Sequence, residues 1–370
     1  LDMAQVRGRF IATEQVSRQR KYLPLLSRQA GHSLALVNFS MQTRDGLVLP
    51  ATTLKETFIP GENGQGEKVE LYAESLDLAS LANFAEHLPI PLDQRRLLID
   101  VAPKGVLKNF TASWQGSFPD ISSYRIQGEF RNLEMQPLKA QLARPKQGKI
   151  PAKVAFPAIP GFDNLSGSID ANDKGGSFTL DSTDLTLQLS SYFVDPVMPF
   201  NRLKMRARWQ LQNDDRLQMQ IQDMDFEQDG AVGSLSGQHS LSMRESDLGE
   251  VDLTGRVQGF DLKTINRYIP AQTPEHLRAW LSAALLDGKA NDVVFRMKGA
   301  LAEFPFEHNS RDPERQGEFL VKGKILGGKL NFLPGEYAKD GVAPFWPIID
   351  DIKGNFIFEH GRMEIRAETA

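Results

Sequence analysis

Asn201-Arg202-Leu203-Lys204-Met205-Arg206-Ala207-Arg208-Trp209-Gln210-Leu211, then Arg216-Leu217-Gln218-Met219-Gln220-Ile221-Gln222, is the stretch that decides the fold class. Apolar side chains alternate with charged or amide ones through both arms. A period of two marks a strand with one apolar face and one wet face. The intervening Asn213-Asp214-Asp215 is turn chemistry, so the two arms read as an antiparallel hairpin. Its apolar face carries Leu203, Met205, Trp209 and Leu211 on one arm and Leu217, Met219 and Ile221 on the other.

The rhythm continues in both directions, at 69–72, 126–130, 178–189, 251–260, 293–301, 319–325 and 356–365. These add Val293, Phe295, Met297, Phe356 and Phe358 to the apolar set. Asn172-Asp173-Lys174-Gly175-Gly176, Asp229-Gly230, Gly327-Gly328 and His360-Gly361 read as the turns between strands. Two helices interrupt. Thr273-Pro274 opens one, with Thr273 as N-cap, Leu277, Trp280, Leu281, Ala284 and Leu285 as its stripe, and Gly288 as its stop. Asp77 caps the other, ended by Pro89. Residues 14–28 suggest a third, and 145–160 a surface crossing. No linker composition breaks the chain, so one module spanning 1–370 is expected, with helical insertions near 77–88 and 273–287. At about 12 residues per strand and turn it would hold roughly 25–30 strands.

Composition narrows the class. A hydrophobic content of 41% and a charged content of 24% exclude a disordered or fibrous chain. Lys+Arg 43 against Asp+Glu 47, with signs interspersed, argues against nucleic acid as a partner. No cysteine is present, which removes thiolate chemistry and disulfides. Phe 22 against Tyr 6 supplies aromatic surface without polar handles, suited to a dry lining or a core. The chain starts at Leu1 with no apolar signal region, and alternation is still running at 362–367. It therefore reads as an excised piece of something longer.

Catalytic signatures fail one after another. The six histidines are scattered, and Asp170-x-Asn172-x-Lys174 puts a lysine where a calcium loop needs an oxygen. Gly327-Gly328-Lys329 lacks the phosphate-loop spacing, and Gly61, Gly64 and Gly66 miss the dinucleotide fingerprint. Gly233-Ser234-Leu235-Ser236-Gly237 lacks the strand and helix of a nucleophile elbow. Asp214-Asp215 and Asp350-Asp351 are adjacent acids that would point to opposite faces of a strand and share no proton, so both pairs read as turn chemistry. The triplets at Asn38, Asn109 and Asn164 match the glycosylation pattern by chance. No enzyme, metal or cofactor is expected, and the ladder Arg202, Lys204, Arg206 and Arg208 reads as a solvated outer face.

An apolar sheet face must be buried on a second sheet, on helices or on a ligand. A two-sheet sandwich is the plain reading. An open groove for acyl chains is the functional one, and the inward methionines and phenylalanines suit both. Alternation does not choose between them.

Four segments resemble one family. Pro160-Gly161-Phe162-Asp163-Asn164-Leu165-Ser166-Gly167 is similar to its PGF-x-NLSG strand entry. Tyr268-Ile269-Pro270 with Leu277-Arg278-Ala279-Trp280-Leu281 and Ala284-Leu285-Leu286-Asp287-Gly288 resembles its helix. Gly299-Ala300-Leu301 with Phe304-Pro305-Phe306 resembles its hairpin, and Trp346-Pro347, Ile352, Gly354, Phe358 and Met363-Glu364-Ile365 follow in order. Together these mark the YhdP type of the AsmA-like superfamily, over about residues 77–370. Ser282 in place of an acid, and a charged insertion at 308–316, depart from the pattern without touching the apolar face.

The resemblance implies an elongated, twisted antiparallel β-groove in a periplasmic protein anchored in the inner membrane of a Gram-negative bacterium. Its implied work is carrying phospholipid between inner and outer membranes, reached through parts of the parent chain not present here. The twelve apolar residues named above would line the groove, with weak head-group selectivity. The competing expectation is an envelope scaffold that binds protein partners for outer-membrane assembly through a sandwich or an edge strand.

Overall fold

In a computed structural model of the chain, residues 2–14, 31–61, 66–85, 87, 92–117, 121–139, 158–212, 215–242, 248–306, 317–339 and 341–370 are described. Apart from Glu14, which ends a strand, the expected helix at 14–28 falls outside them, as do most of the crossing at 145–160, the insertion at 308–316, Gly64, Pro89, Asn213 and Asp214. Among the described residues strand accounts for 67%, and their 17 strands belong to one open antiparallel sheet, not a closed barrel. Many of the described strands are longer than the expected spacing assumed, up to the 16 residues of Leu285–Ala300. Two compact units divide the chain, one of Leu1–Leu138 with Phe162–Leu180 and one of Lys139–Gly161 with Asp181–Ala370. The Leu180/Asp181 boundary falls inside a strand, where no linker composition could mark it.

The first unit is a meander. Strands β1 (Met3–Glu14), β2 (His32–Thr43), β3 (Val48–Ile59) and β4 (Lys68–Asp77) each pair with the next. Helices α1 (Leu78–Ala85) and α2 (Leu92–Val101) follow, then β5 (Lys104–Gln115), β6 (Ser123–Met135), β7 (Gly161–Asn172) and the start of β8 (Gly175–Gln188). Asp77 does cap α1, accepting from the Ser80 amide at 2.8 Å, and Phe84 and Ala85 are its buried residues. Sequence reading missed α2, because Pro89 was read as a stop; a proline just ahead of a helix, such as Pro91 before Leu92, is equally a start signal.

The second unit takes up the rest of β8 and continues through β9 (Val197–Leu211), β10 (Arg216–Gln228), β11 (Ala231–Ser242), β12 (Glu250–Gln258) and the short β13 (Phe260–Asp261). A 3-10 segment (Leu262–Tyr268) and helix α3 (Glu275–Ala284) precede β14 (Leu285–Ala300), β15 (Glu318–Leu330), β16 (Ile349–Glu359) and β17 (Arg362–Thr369). β12 and β13 both pair with β14, so the meander is kept across the interruption.

Three turn and cap readings are corrected here. Gly288 does not stop α3: the helix ends at Ala284, and Gly288 lies within β14 at φ +122°. A Cβ there would sit 2.7 Å from Gly328 Cα, so the glycine serves a close approach of two strands. Gly327-Gly328 is likewise no turn but an irregularity inside β15, where the register slips between Ile325 and Gly328. Thr273 makes no capping bond; Pro274 is the N-cap, and the Thr273 hydroxyl is buried without a partner.

The asparagine triplets have a backbone explanation. Asn38, Asn109 and Asn164 all sit at positive φ, as does Asn132. Each falls where strand register slips, between Leu36 and Phe39, between Lys108 and Thr111, between Phe130 and Leu133, and beside Leu165. Asp292 and Asp351 do the same in β14 and β16. Asn and Asp tolerate the left-handed region better than other side chains, and a bulge there bends the strand and raises its twist.

Candidate functional site

Residues directly opposite each other in an antiparallel pair share a face, so register alone builds the candidate surface. On β9 and β10, Leu203 faces Phe226, Met205 faces Met224, Ala207 faces Ile221, Trp209 faces Met219 and Leu211 faces Leu217. From Met224 the row continues through Leu235, Gly255, Phe295, Val321, Phe358 and Met363, reaching β17. A parallel row runs Ile221, Gly237, Leu253, Met297 and Phe319. Val293 lies opposite Val257, and Phe356 opposite Ile365. All twelve residues singled out in the sequence thus stand on one face of the second unit.

They are not equally covered. Leu203, Val293 and Met297 are buried, Leu211 is exposed, and the other eight are half-buried. Local segments account for part of this. Leu301, Phe304 and Phe306 fold back onto Val251, Met297 and Phe319. Leu262, from the 3-10 segment, packs on Ala290, Val293 and Ile325, and Ala284 of α3 packs on Leu330 and Ile352. All described strands belong to one hydrogen-bonded sheet.

Phenylalanine and glycine alternate across strands on the same face, a pattern the sequence reading missed. Phe226 stands opposite Gly233, Phe295 opposite Gly255 and Phe356 opposite Gly323; the first unit repeats it with Phe130 and Gly167. A Cβ on Gly233 would lie 2.3 Å from Phe226 Cζ, and one on Gly323 would lie 3.0 Å from Phe356 Cε1. At Gly233 and Gly323 the missing Cβ lets the facing ring lie down over the glycine, giving a low-relief apolar floor there. The signal in the sequence was present, but only register shows which Phe meets which Gly.

The opposite face is charged and internally neutralised. Arg206 Nε donates to both carboxylate oxygens of Asp223, at 2.9 and 2.8 Å, and Lys204 pairs with Asp181 at 3.3 Å. Arg296 bridges Asp252 and Glu318, and Lys324 meets Asp292 at 2.8 Å. Hydrogen bonds from these cations hold the Asp223, Asp252 and Asp292 carboxyls below the ordinary range. Carboxylates so held stay ionised near neutrality and make poor proton donors. Tyr268 goes the other way, pushed up to about 12 by burial and then by Asp229. Asp170 accepts from Arg125 and Gln127, while Asn172 accepts from the Lys174 amide, as a hairpin turn requires. His239 contacts the Leu248 carbonyl at 2.7 Å and His360 that of Pro305 at 3.2 Å. Among the described residues no cluster suited to a metal ion is found.

A protein-family model described as YhdP protein matches residues 3–370. It therefore covers residues 3–76 as well, which the sequence motifs did not reach. No curated protein and no solved structure matches the chain.

Proposed function

This chain belongs to the YhdP family, and on that premise we propose that it is a non-enzymatic segment of a lipid-transfer bridge in the Gram-negative envelope. Acyl chains lie along the apolar rows while head groups stay at the wet rim. The observation that supports this reading is the row from Met205 to Met363, apolar or glycine at every step from β9 to β17, within one open sheet. A packed sandwich would need a matching apolar sheet. Each methylene laid on the floor gains about 0.8 kcal/mol, and a floor of low relief offers no deep pocket to trap the chain. Phospholipid is the cargo, and both membranes are reached through other parts of the parent protein in the periplasm.

Photo-crosslinkers at Met205 and Met219 provide the test, read by mass spectrometry of the chain purified from an envelope. Adducts to phospholipid are expected. Adducts to protein alone, with no lipid co-purifying, would refute the groove. They would favour a scaffold instead, for which the exposed Val6 and Phe10 of the outermost strand β1 offer an edge.

A further inference from the structure

The apolar face of the first unit carries one polar cluster. Leu34, Leu71, Ala112 and Ile126 form a cross-strand row with Glu56 set among them. In the next row His32 faces Phe58, on which its ring stacks at 5.1 Å, and on its other side it faces Glu14. His32 Nε2 lies 3.5 Å from Glu56 Oε2, with the His32 side chain only 9% exposed. Two atoms of this group are buried with no hydrogen-bond partner: Glu14 Oε1 and His32 Nδ1. Directly opposed residues hold their Cβ atoms about 4.5–5.5 Å apart, so Glu14 and His32 share one small space.

The chemistry of that space is one-sided. With the imidazole proton on Nε2, toward Glu56, Nδ1 presents a lone pair. Two carboxylates and one imidazole nitrogen then offer only acceptors, in apolar surroundings where uncompensated charge is costly. What they lack is a compact cation with several N–H donors. A primary ammonium has three; a quaternary ammonium has none, and the described residues hold no metal-binding cluster here. Glu14 is the last described residue of β1, and His32 opens β2.

We propose that Glu14, His32 and Glu56 bind the primary ammonium of an aminophospholipid head group whose acyl chains lie on the adjoining apolar rows. This rests on the lipid-groove reading and departs from the weak head-group selectivity that an apolar floor alone implies. The structural role it displaces is inward-pointing charge that protects an edge strand from mispairing.

The purified, delipidated chain is mixed with vesicles of equal parts phosphatidylethanolamine and phosphatidylglycerol bearing identical acyl chains. Lipid recovered with the protein is then counted by mass spectrometry. Wild type is expected to enrich the ethanolamine lipid about ten-fold, the scale of one charge-assisted contact. Glu14→Gln/Glu56→Gln should bring the ratio to one with total lipid unchanged, and Glu56→Gln alone should fall between. Gln is isosteric, and an unaltered thermal midpoint checks the fold. Wild type recovering lipid at the vesicle ratio, or the double variant keeping the enrichment, overturns the site. Recovery of no lipid at all would sink the groove reading instead. Water-soluble glycerophosphoethanolamine then decides the site alone: binding lost in the variant supports an ammonium site for a free amine, and no binding overturns it.

Discussion

Gly233→Ala puts the phenylalanine–glycine floor to its sharpest test. At an ordinary strand position, replacing glycine with alanine stabilises a protein by about 0.4–1 kcal/mol, because the unfolded chain loses freedom. Gly233 is not among the positive-φ glycines, so backbone strain is no obstacle. Its Cβ, however, would lie 2.3 Å from Phe226 Cζ, 2.7 Å from Cε1 and 2.9 Å from the Arg256 carbonyl oxygen. The ring would have to lift, giving up its edge contact with Phe200 at 6.1 Å. Overpacking of this kind costs about 1–3 kcal/mol, which outweighs the entropic gain and reverses the sign. Urea denaturation of the full chain, followed by fluorescence, reads the change; hydrogen exchange over β10 and β11 localises it. In the Gly233→Ala background, Phe226→Leu removes the clashing ring atoms. A coupling of about 1 kcal/mol or more between the two sites is expected. A neutral or stabilising Gly233→Ala, or strict additivity of the pair, would refute the interleaving.

Two further outcomes follow from burial and charge. Met297→Ala, under Leu301, Phe304 and Phe319, should cost about 2–5 kcal/mol by denaturant titration, whereas half-buried Trp209→Glu should lose less than about 1.5 kcal/mol and still abolish lipid recovery. Equal losses at both sites would mean that Trp209 is core and not floor. The carboxyls of Asp223, Asp252, Asp292 and Asp350 are depressed chiefly by hydrogen bonds from Arg206, Arg296, Lys324 and Lys329. A folded pKa below the unfolded value of about 3.9 adds stability above that pH and loses it as pH falls through the folded value. The thermal midpoint should therefore drop as the solution is taken below about pH 4, and Asp252→Asn should blunt the drop; an unchanged midpoint across that window would contradict the pairing. Because the pairs are largely exposed, salt should weaken each effect.

Much of the fold was legible because its information is local. Alternation in β9 and β10 names the apolar face of each strand from consecutive residues, and Asp77 ahead of α1 is a cap signal within one turn. Glycine was harder to read. Gly288 and Gly327-Gly328 look like stops and turns in one dimension, yet they allow β14 and β15 to approach each other, with contacts some 40 residues apart in sequence. The role of the asparagines at 38, 109 and 164 was not legible for a related reason: only the slipped register shows that each left-handed residue sits at a bulge.

The sequence by itself determined the strand class, the absence of thiol chemistry, the twelve apolar residues and the family resemblance later matched over residues 3–370. Side-chain direction in a strand repeats every two residues, so each of these is written in short windows. Tertiary structure decided that the twelve residues share one face of one unit, that phenylalanines lie over glycines, and that Glu14, His32 and Glu56 meet on an apolar surface. Those facts depend on register, and register is a relation between strands that no single strand contains.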